Sequence, residues 1–280
     1  MHVLPSIRSL WDFSNPEKSE QVFRDMLPSG DDLYDLELRT QIARTYGLRR
    51  RFDDARTELA SALADAPTEP SRFHVRYELE IGRTENSSGN IEDAKPHFHR
   101  AFELAQELGE EFLLVDAAHM LGIAYTGEAG LEWNLRAIEL AKAARDPETQ
   151  TWLGSLLNNT GWTLHDMGKF ESALSIFQDA EQYFRARESA DRLHIARWSV
   201  ARCLRSLGRT DEALATQLEL IPDDTSGYAA EEVGECMLEL GRAEEAKPYF
   251  ATAAEKLSKD DWFVANCADR LARLRDLGSN

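Results

Sequence analysis

The apolar positions of this chain follow a helical spacing that is interrupted at regular intervals by a turn. The clearest example lies between residues 157 and 180, where small and apolar residues recur on both sides of a glycine. This spacing predicts two antiparallel helices that approach closely at their small residues, with large side chains filling the space beside the contact. The positions are Leu157, Gly161 and Leu164 on the first helix, Gly168 in the turn, and Phe170, Ala173, Phe177 and Ala180 on the second helix.

The same pattern recurs along most of the chain, and one small residue of the second helix measures its period. Successive copies lie 39, 40, 39, 40 and 33 residues apart (94 − 55, 134 − 94, 173 − 134, 213 − 173, 246 − 213). A single helix pair cannot bury both of its faces, so a row of pairs in register predicts a stacked repeat domain. The six positions that measure the period are Ala55, Ala94, Asn134, Ala173, Ala213 and Ala246.

We therefore expect an all-α fold of about six helix pairs, with a capping element at each end. Residues 1–34 are interpreted as a degenerate half-repeat, and residues 35–260 as the repeats. Residues 261–276 are interpreted as a C-terminal capping helix with Val264, Cys267, Leu271 and Leu274 on its apolar face, and 277–280 as a tail. The expected pairs are at about 36–69, 75–108, 115–148, 154–187, 194–226 and 227–260.

Over residues 35–260 the sequence resembles the tetratricopeptide repeat family. The long spacing is similar to the subgroup found in kinesin light chains, LGN-type polarity adaptors and bacterial peptide-receptor regulators. The resemblance implies a right-handed α-α superhelix whose concave face is lined by the first helix of each pair and holds a peptide. Departures from the family pattern include Asn134 in place of alanine, Gln217 in place of a large apolar residue, and Ala129 in place of the turn glycine of the third repeat.

Composition narrows the range of partners. The formal net charge is −18, which disfavours nucleic acid and anionic lipid at long range and favours cationic partners. The three cysteines are an odd number at wide spacing, which fits a reducing compartment better than a disulfide framework. Neither a signal peptide nor a membrane span is recognisable. We therefore expect a cytoplasmic protein that binds neither nucleic acid nor membrane.

Projection of the first helices gives a candidate groove rich in arginine, tryptophan and asparagine. Arginine and tryptophan often anchor interfaces, and asparagine can pair with a peptide backbone. The hypothesis is a groove for an acidic or carboxylate-ended peptide. The alternative is that the tryptophans pack between helices and the arginines pair with nearby carboxylates. The candidate residues are Arg44, Arg76, Arg83, His119, Asn158, Asn159, Trp162, His165, Trp198, Arg202 and Arg205.

The sixth repeat is opposite in sign, which leaves three interpretations open. Its inner face could bind part of a dipolar segment, or the basic C-terminal helix of another copy in weak self-association. It could also be a solvated acidic surface. The acidic residues are Glu231, Glu232, Glu235 and Glu239, and the C-terminal arginines, expected in solvent, are Arg270, Arg273 and Arg275.

No motif for catalysis, cofactor binding or metal binding is recognisable. His97 and His99 are two residues apart, which points their rings to different sides of a helix. We therefore expect no cofactor, no metal and no enzyme activity. The favoured function is a protein-interaction scaffold whose partner is a protein or peptide. The alternative is a ligand- or peptide-responsive regulator that controls an output partner.

Overall fold

The computed structural model describes residues 4–279, and all regular secondary structure in that range is helical. The chain forms two compact units, with the boundary after Leu156, inside a helix. The first unit contains a short 3-10 turn Ile7–Leu10 and helices α1 Pro16–Asp25, α2 Asp32–Leu48, α3 Phe52–Ala64, α4 Arg72–Ser88, α5 Ile91–Leu108, α6 Glu111–Ala124, α7 Gly127–Ala143 and α8 Pro147–Gln150. After α9 Leu153–Asp166, which contains the boundary, come α10 Phe170–Arg185, α11 Ala190–Ser206, α12 Thr210–Leu220, a 3-10 turn Ile221–Asp223, α13 Tyr228–Glu239, α14 Ala243–Leu257, α15 Asp261–Asn266 and α16 Ala268–Ser279.

In three of the described helix pairs, a glycine of the first helix faces a phenylalanine ring of the second helix. A Cβ atom added at Gly82 would lie 2.5 Å from Cε1 of Phe98, and one added at Gly234 would lie 2.7 Å from the same atom of Phe250. Both rings are completely buried. In these pairs the first helix must therefore carry glycine at this position, because any side chain would overlap the ring.

In the third repeat the glycine of the first helix faces Asn134 of the second helix and not a phenylalanine ring. A Cβ atom at Gly122 would overlap the side-chain amide of Asn134, which is 3 % exposed. Asn134 therefore occupies the space that a phenylalanine ring fills in other pairs. In this repeat the expectation for the turn was wrong, since Ala129 lies inside α7 and the turn is at Gly127, with a φ of +62°. Only glycine adopts that conformation readily.

The first helix, α1, begins at a capping asparagine followed by a proline. The side chain of Asn15 accepts a hydrogen bond from the backbone of Lys18, and Pro16 is the first residue of α1. Phe23 on α1 is fully buried against α2, so α1 covers the outer end of the first repeat.

The C-terminal cap differs from the expected single helix. The helical geometry is interrupted at Cys267, between α15 and α16. Val264 is 43 % exposed, whereas Phe263, Leu271 and Leu274 are buried. The buried apolar residue of α15 is therefore Phe263, whose ring lies 6.1 Å from that of Tyr228, and not the expected Val264.

Candidate functional site

The predicted inner arginines of the first unit are all engaged with carboxylates of the same surface. Arg76 donates to Glu37 at 2.6 Å, and Arg83 donates to Glu80 at 2.6 Å and also to Asp116. The three carboxylates belong to residues that are at most 9 % exposed. The arginines therefore form a charge-balanced network between neighbouring first helices, not an open cationic surface.

Arg44 is less tightly paired than the other two. Its nearest carboxylate oxygen, on Glu80, is 3.5 Å away, and its guanidinium lies over the rings of Trp11 and Phe13 at 5.5 and 5.4 Å. Burial lowers the pKa of Arg44, and the neighbouring Arg83 lowers it further. The aromatic rings partly replace the solvation that this guanidinium loses.

Asp116 and His119 both have lowered pKa values, for different reasons, so that one is charged and the other neutral. Burial opposes the charge of Asp116, but Arg83 and Arg44 outweigh it, so the pKa of Asp116 lies below its ordinary value. Burial lowers the pKa of His119, and the imidazole is therefore neutral at pH 7. Its ring lies 5.4 Å from that of Trp152, and its Nδ1 has no hydrogen-bond partner among the described residues.

A cavity of about 430 Å³ lies on this inner surface of the first unit. Its size is within the ~300–1,000 Å³ range of ligand pockets. Sequence reasoning missed much of its lining, because the N-terminal residues and the helix α8 gave no periodic signal. The missed lining residues include Arg8, Trp11, Phe13, Arg72, Phe112 and Trp152.

In the second unit, the two predicted tryptophans contact each other. The ring centroids of Trp162 and Trp198 are 5.6 Å apart, and the row continues to Tyr228, 5.9 Å from Trp198. Trp162 also contacts the buried ring of Phe177 edge-on at 5.1 Å. Both indoles are half-buried, and the Nε1 of Trp198 has no hydrogen-bond partner among the described residues. They pack between neighbouring first helices and still present part of their surface.

The predicted arginines of the second unit share one buried carboxylate. Nε of Arg202 lies 3.1 Å from Glu232, and Arg205 donates to the same residue at 2.8 Å. Arg205 also donates to Glu239 at 2.6 Å. Glu232 is 3 % exposed. A carboxylate ligand would therefore have to compete with an existing internal partner.

The remaining predicted residues lie on α9, beside the indoles in sequence. The Nε2 atom of His165 is 2.9 Å from the hydroxyl of Ser206, and burial lowers the pKa of this histidine, with Arg202 adding to the effect. Asn158 and Asn159 are half-buried, and the Oδ1 of Asn158 has no partner among the described residues.

The acidic residues of the sixth repeat are paired within the same chain. Arg270 of α16 forms a bidentate pair with Glu231, at 2.6 and 2.7 Å, and Arg273 pairs with Glu235. The side chains of these two arginines are 44 % and 50 % exposed, in line with the expectation that they face solvent, but each also pairs with a carboxylate of α13. The hypothesis that another copy's C-terminal helix binds here loses its basis, since the chain's own helix already supplies the charges.

An open groove of about 510 Å³ runs along this part of the second unit. It combines the indole pair with four arginines and four acidic groups that neutralise most of each other's charge. Its lining includes Trp162, His165, Trp198, Arg202, Glu232 and Arg270.

The histidines and cysteines of the described residues do not form a metal site. No group of three or more metal-ligating side chains is found within residues 4–279, and no helix of that range is long and apolar enough to cross a bilayer. His97 instead contacts Glu78 at 2.6 Å, and His99 contacts the hydroxyl of Tyr125 at 3.0 Å. The three cysteines are free.

Comparison of the sequence with family profiles and with curated proteins gives no match. Comparison with solved structures gives similar proteins that carry the same repeat. A Pyrococcus horikoshii signal-transduction ATPase with numerous domains, which has a tetratricopeptide repeat sensor, matches with a TM-score of 0.73 and 16 % identity over 92 % of this chain. This chain spans 41 % of that protein's length.

Two further structures match over most of both chains. The apo form of RapI has a TM-score of 0.74 and 12 % identity over 91 % of this chain and 76 % of its own. NprR in complex with its cognate peptide NprX has a TM-score of 0.54 and 14 % identity over 92 % of this chain and 77 % of its own. The protein thus has the tetratricopeptide-repeat fold, and the predicted all-α repeat class is confirmed.

Proposed function

We propose that this protein is a non-enzymatic interaction module that binds a peptide or flexible tail in the groove of its second unit. The proposal is supported by one observation above all, the pair of half-buried indoles of Trp162 and Trp198 in an open groove. Indoles combine a large apolar area with a hydrogen-bond donor and lose little conformational entropy on binding. The Nε1 of Trp198 is itself buried and has no partner among the described residues, so the proposal relies on the accessible part of the indole ring and not on this donor.

The charge balance of the groove favours a ligand with apolar or aromatic anchors over a strongly acidic one. Glu232 already pairs with both Arg202 and Arg205, so an incoming carboxylate gains only the difference between two similar ion pairs. Loss of one aromatic anchor typically costs ~2 kcal/mol or more. This corresponds to about a 30-fold loss of affinity.

Selection of ligands from a random peptide library tests the proposal even though the partner is not identified. Wild-type protein is used for selection, and the enriched peptides are titrated against Trp162→Ala/Trp198→Ala. Trp262→Ala is the matched control, because this indole is 64 % exposed and does not line the groove. We expect a loss of about 30-fold or more in the double variant and none in the control. Equal affinity in all three folded proteins, or no enrichment, would contradict the proposal.

A peptide-responsive regulator remains the second candidate. It is suggested at the level of the fold by NprR, which is described as a quorum sensor and is solved with its peptide NprX. A change in radius of gyration on binding of a selected peptide would favour this function over a passive scaffold. The free cysteines fit a reducing compartment such as the cytoplasm for either function.

A further inference from the structure

The N-terminal segment, defined here as residues 5–13, lies on the inner surface of the first unit. Tyr34 of α2 donates through its hydroxyl to the carbonyl of Pro5 at 2.9 Å. Of the side chains in the segment, all of which the structure describes, only that of Ile7 is fully buried. The segment is therefore bound along the surface, with one fully buried side chain and otherwise exposed or half-buried contacts, which favours its exchange by local opening.

The side chain of Arg8 contacts an aromatic ring, a hydroxyl and a carboxylate of the first unit, as the arginine of a bound peptide would. Its guanidinium carbon lies 5.1 Å from the ring centre of Phe112, on α6. Nη1 donates to the hydroxyl of Thr151 at 3.2 Å, and Nε lies 3.6 Å from a carboxylate oxygen of Glu148. Ring, hydroxyl and carboxylate together form a receptor for a planar cation.

Trp11 supplies a second anchor three residues later. Its indole Nε1 donates to the side-chain oxygen of Gln41 at 3.0 Å, and its ring stacks on Phe13 at 4.7 Å. Gln41 is 1 % exposed, so this acceptor would be left unsatisfied if the indole moved away and water did not enter. The guanidinium of Arg44 covers both rings.

The charge of the receiving surface also suits a cation. The residues that α2 to α9 contribute to the cavity include three arginines and five carboxylates, so the surface is acidic without the segment. The net charge of −18 on the whole chain adds long-range attraction for a basic partner. The three arginines are Arg44, Arg72 and Arg76, and the five carboxylates are Glu110, Glu111, Asp116, Asp146 and Glu148.

We propose that the inner surface of the first unit is a docking site for a peptide with an arginine followed three residues later by a tryptophan, and that the N-terminal segment occupies this site as an intramolecular ligand. A partner with this pattern replaces the segment and makes the same contacts with Phe112, Gln41 and Glu148. The inference rests on the proposed function in that peptides bind on inner faces, but it concerns the first unit and a different, cationic ligand class.

Competition within the chain determines what a titration should show. A tethered segment competes at an effective concentration of about millimolar, so the site in wild-type protein is mostly filled. Weakening the segment by about 1.4 kcal/mol raises the apparent affinity of an added peptide by up to tenfold. The substitution that frees the site therefore improves binding of an added peptide.

The test uses the full-length chain and a labelled peptide with the sequence of residues 4–14, acetylated and amidated, followed by fluorescence anisotropy. We expect Arg8→Ala/Trp11→Ala to bind this peptide at least tenfold more tightly than wild type. Ser9→Ala is the matched control, since among residues 4–279 its hydroxyl bonds only to the carbonyl of Ser6, which is within the segment. A peptide in which the arginine and tryptophan are alanine should bind neither protein.

Two further variants keep the outcome interpretable. If the double variant loses its helical circular dichroism, Arg8→Ala alone is used, because this side chain is 45 % exposed, and a rise of about threefold or more is expected. Adding Glu148→Gln/Thr151→Ala to the freed protein should reduce peptide binding again. Equal affinity for wild type and freed protein, or binding that survives loss of Glu148 and Thr151, would overturn the inference.

Failure of this test is distinguishable from failure of the proposed function. The labelled peptide reports on the first unit, whereas the library-selected peptides are judged by Trp162 and Trp198 in the second unit. Trp162→Ala/Trp198→Ala should leave the anisotropy titration unchanged. Loss of binding in that variant would place the peptide on the second unit and would also refute the inference.

Discussion

The contact between glycine and phenylalanine predicts that two Gly→Ala substitutions in the first unit have opposite effects. Gly82 lies in the middle of α4, and an added Cβ would be 2.5 and 2.7 Å from two ring carbons of Phe98. Gly47 lies near the end of α2, and its nearest neighbour would be the hydroxyl of Thr84 at 4.0 Å. Both substitutions gain helix propensity, by up to about 1 kcal/mol. Only Gly82→Ala adds an overlap, so the comparison isolates the steric cost.

The magnitude follows from how far the ring must move. Ordinary carbon contacts are about 3.5–4.0 Å, so the fully buried ring of Phe98 would have to shift by roughly 1 Å. Overpacking of this kind costs ~1–3 kcal/mol. We expect Gly82→Ala to be less stable than Gly47→Ala by about that amount, while Gly47→Ala is slightly more stable than wild type.

Urea unfolding followed by circular dichroism measures the difference. With a slope of ~2 kcal/mol per molar urea, a difference of ~2 kcal/mol separates the two midpoints by roughly 1 M. The double variant Gly82→Ala/Phe98→Leu should recover part of the loss, with a coupling energy of ~0.5–3 kcal/mol. Equal midpoints for Gly82→Ala and Gly47→Ala, together with no coupling, would refute the account of how the helix pairs pack.

Two further properties follow from the surroundings of titratable groups. Burial raises the pKa of the Cys203 thiol and raises that of the Cys236 thiol to about 12. We therefore expect a thiol reagent at pH 8 to modify native protein at Cys267 alone, and denatured protein at all three cysteines. Rapid native labelling of either buried thiol, located by peptide mapping, would contradict this. The hydrogen bond to Glu78 raises the pKa of His97. The free energy of folding that this pair contributes is therefore complete below about pH 6.5. It is lost as the pH rises through the raised pKa of His97. Unfolding of wild type and His97→Ala at pH 6 and pH 9 should show a larger difference at pH 6, and the reverse order would show that the pair is not formed.

The fold was predictable because its determinants are local and repeat with the period. Gly161 and Phe177 recur in the same register as Gly234 and Phe250, and each pair fixes a contact between consecutive helices. Where one repeat departs from the pattern, the position of its turn was predicted wrongly. The register of the other repeats puts Ala129 at the turn, whereas the third repeat has its turn glycine two positions earlier, at Gly127.

The charges of the inner surface were harder to predict, because pairing depends on neighbouring repeats. Glu37 and Arg76 are 39 residues apart, which is one repeat, and opposite charges at that separation were a usable signal for the observed ion pair. The ion pair of Arg205 and Glu232 was harder to predict from the sequence. The two residues are 27 positions apart, and this separation depends on the shorter last repeat. Counting arginines alone overstated the positive charge of the surface.

The N-terminal segment could not be placed from sequence at all. Its contacts, such as that from Trp11 to Gln41, join residues with no common period. A single arginine and a few aromatic residues before the first helix carry no information about which face of α2 they cover. The receiving residues Phe112 and Thr151 lie more than a hundred positions away in the sequence.

The most direct test of the central claim is amide hydrogen exchange of the protein with and without a peptide selected from the library. If the groove of the second unit binds the peptide, protection should increase in α9 and α11, which carry Trp162 and Trp198. The second helices α10 and α12 should exchange as before. Protection confined to α10 and α12, or absent from both sets while the peptide is bound, would contradict the account.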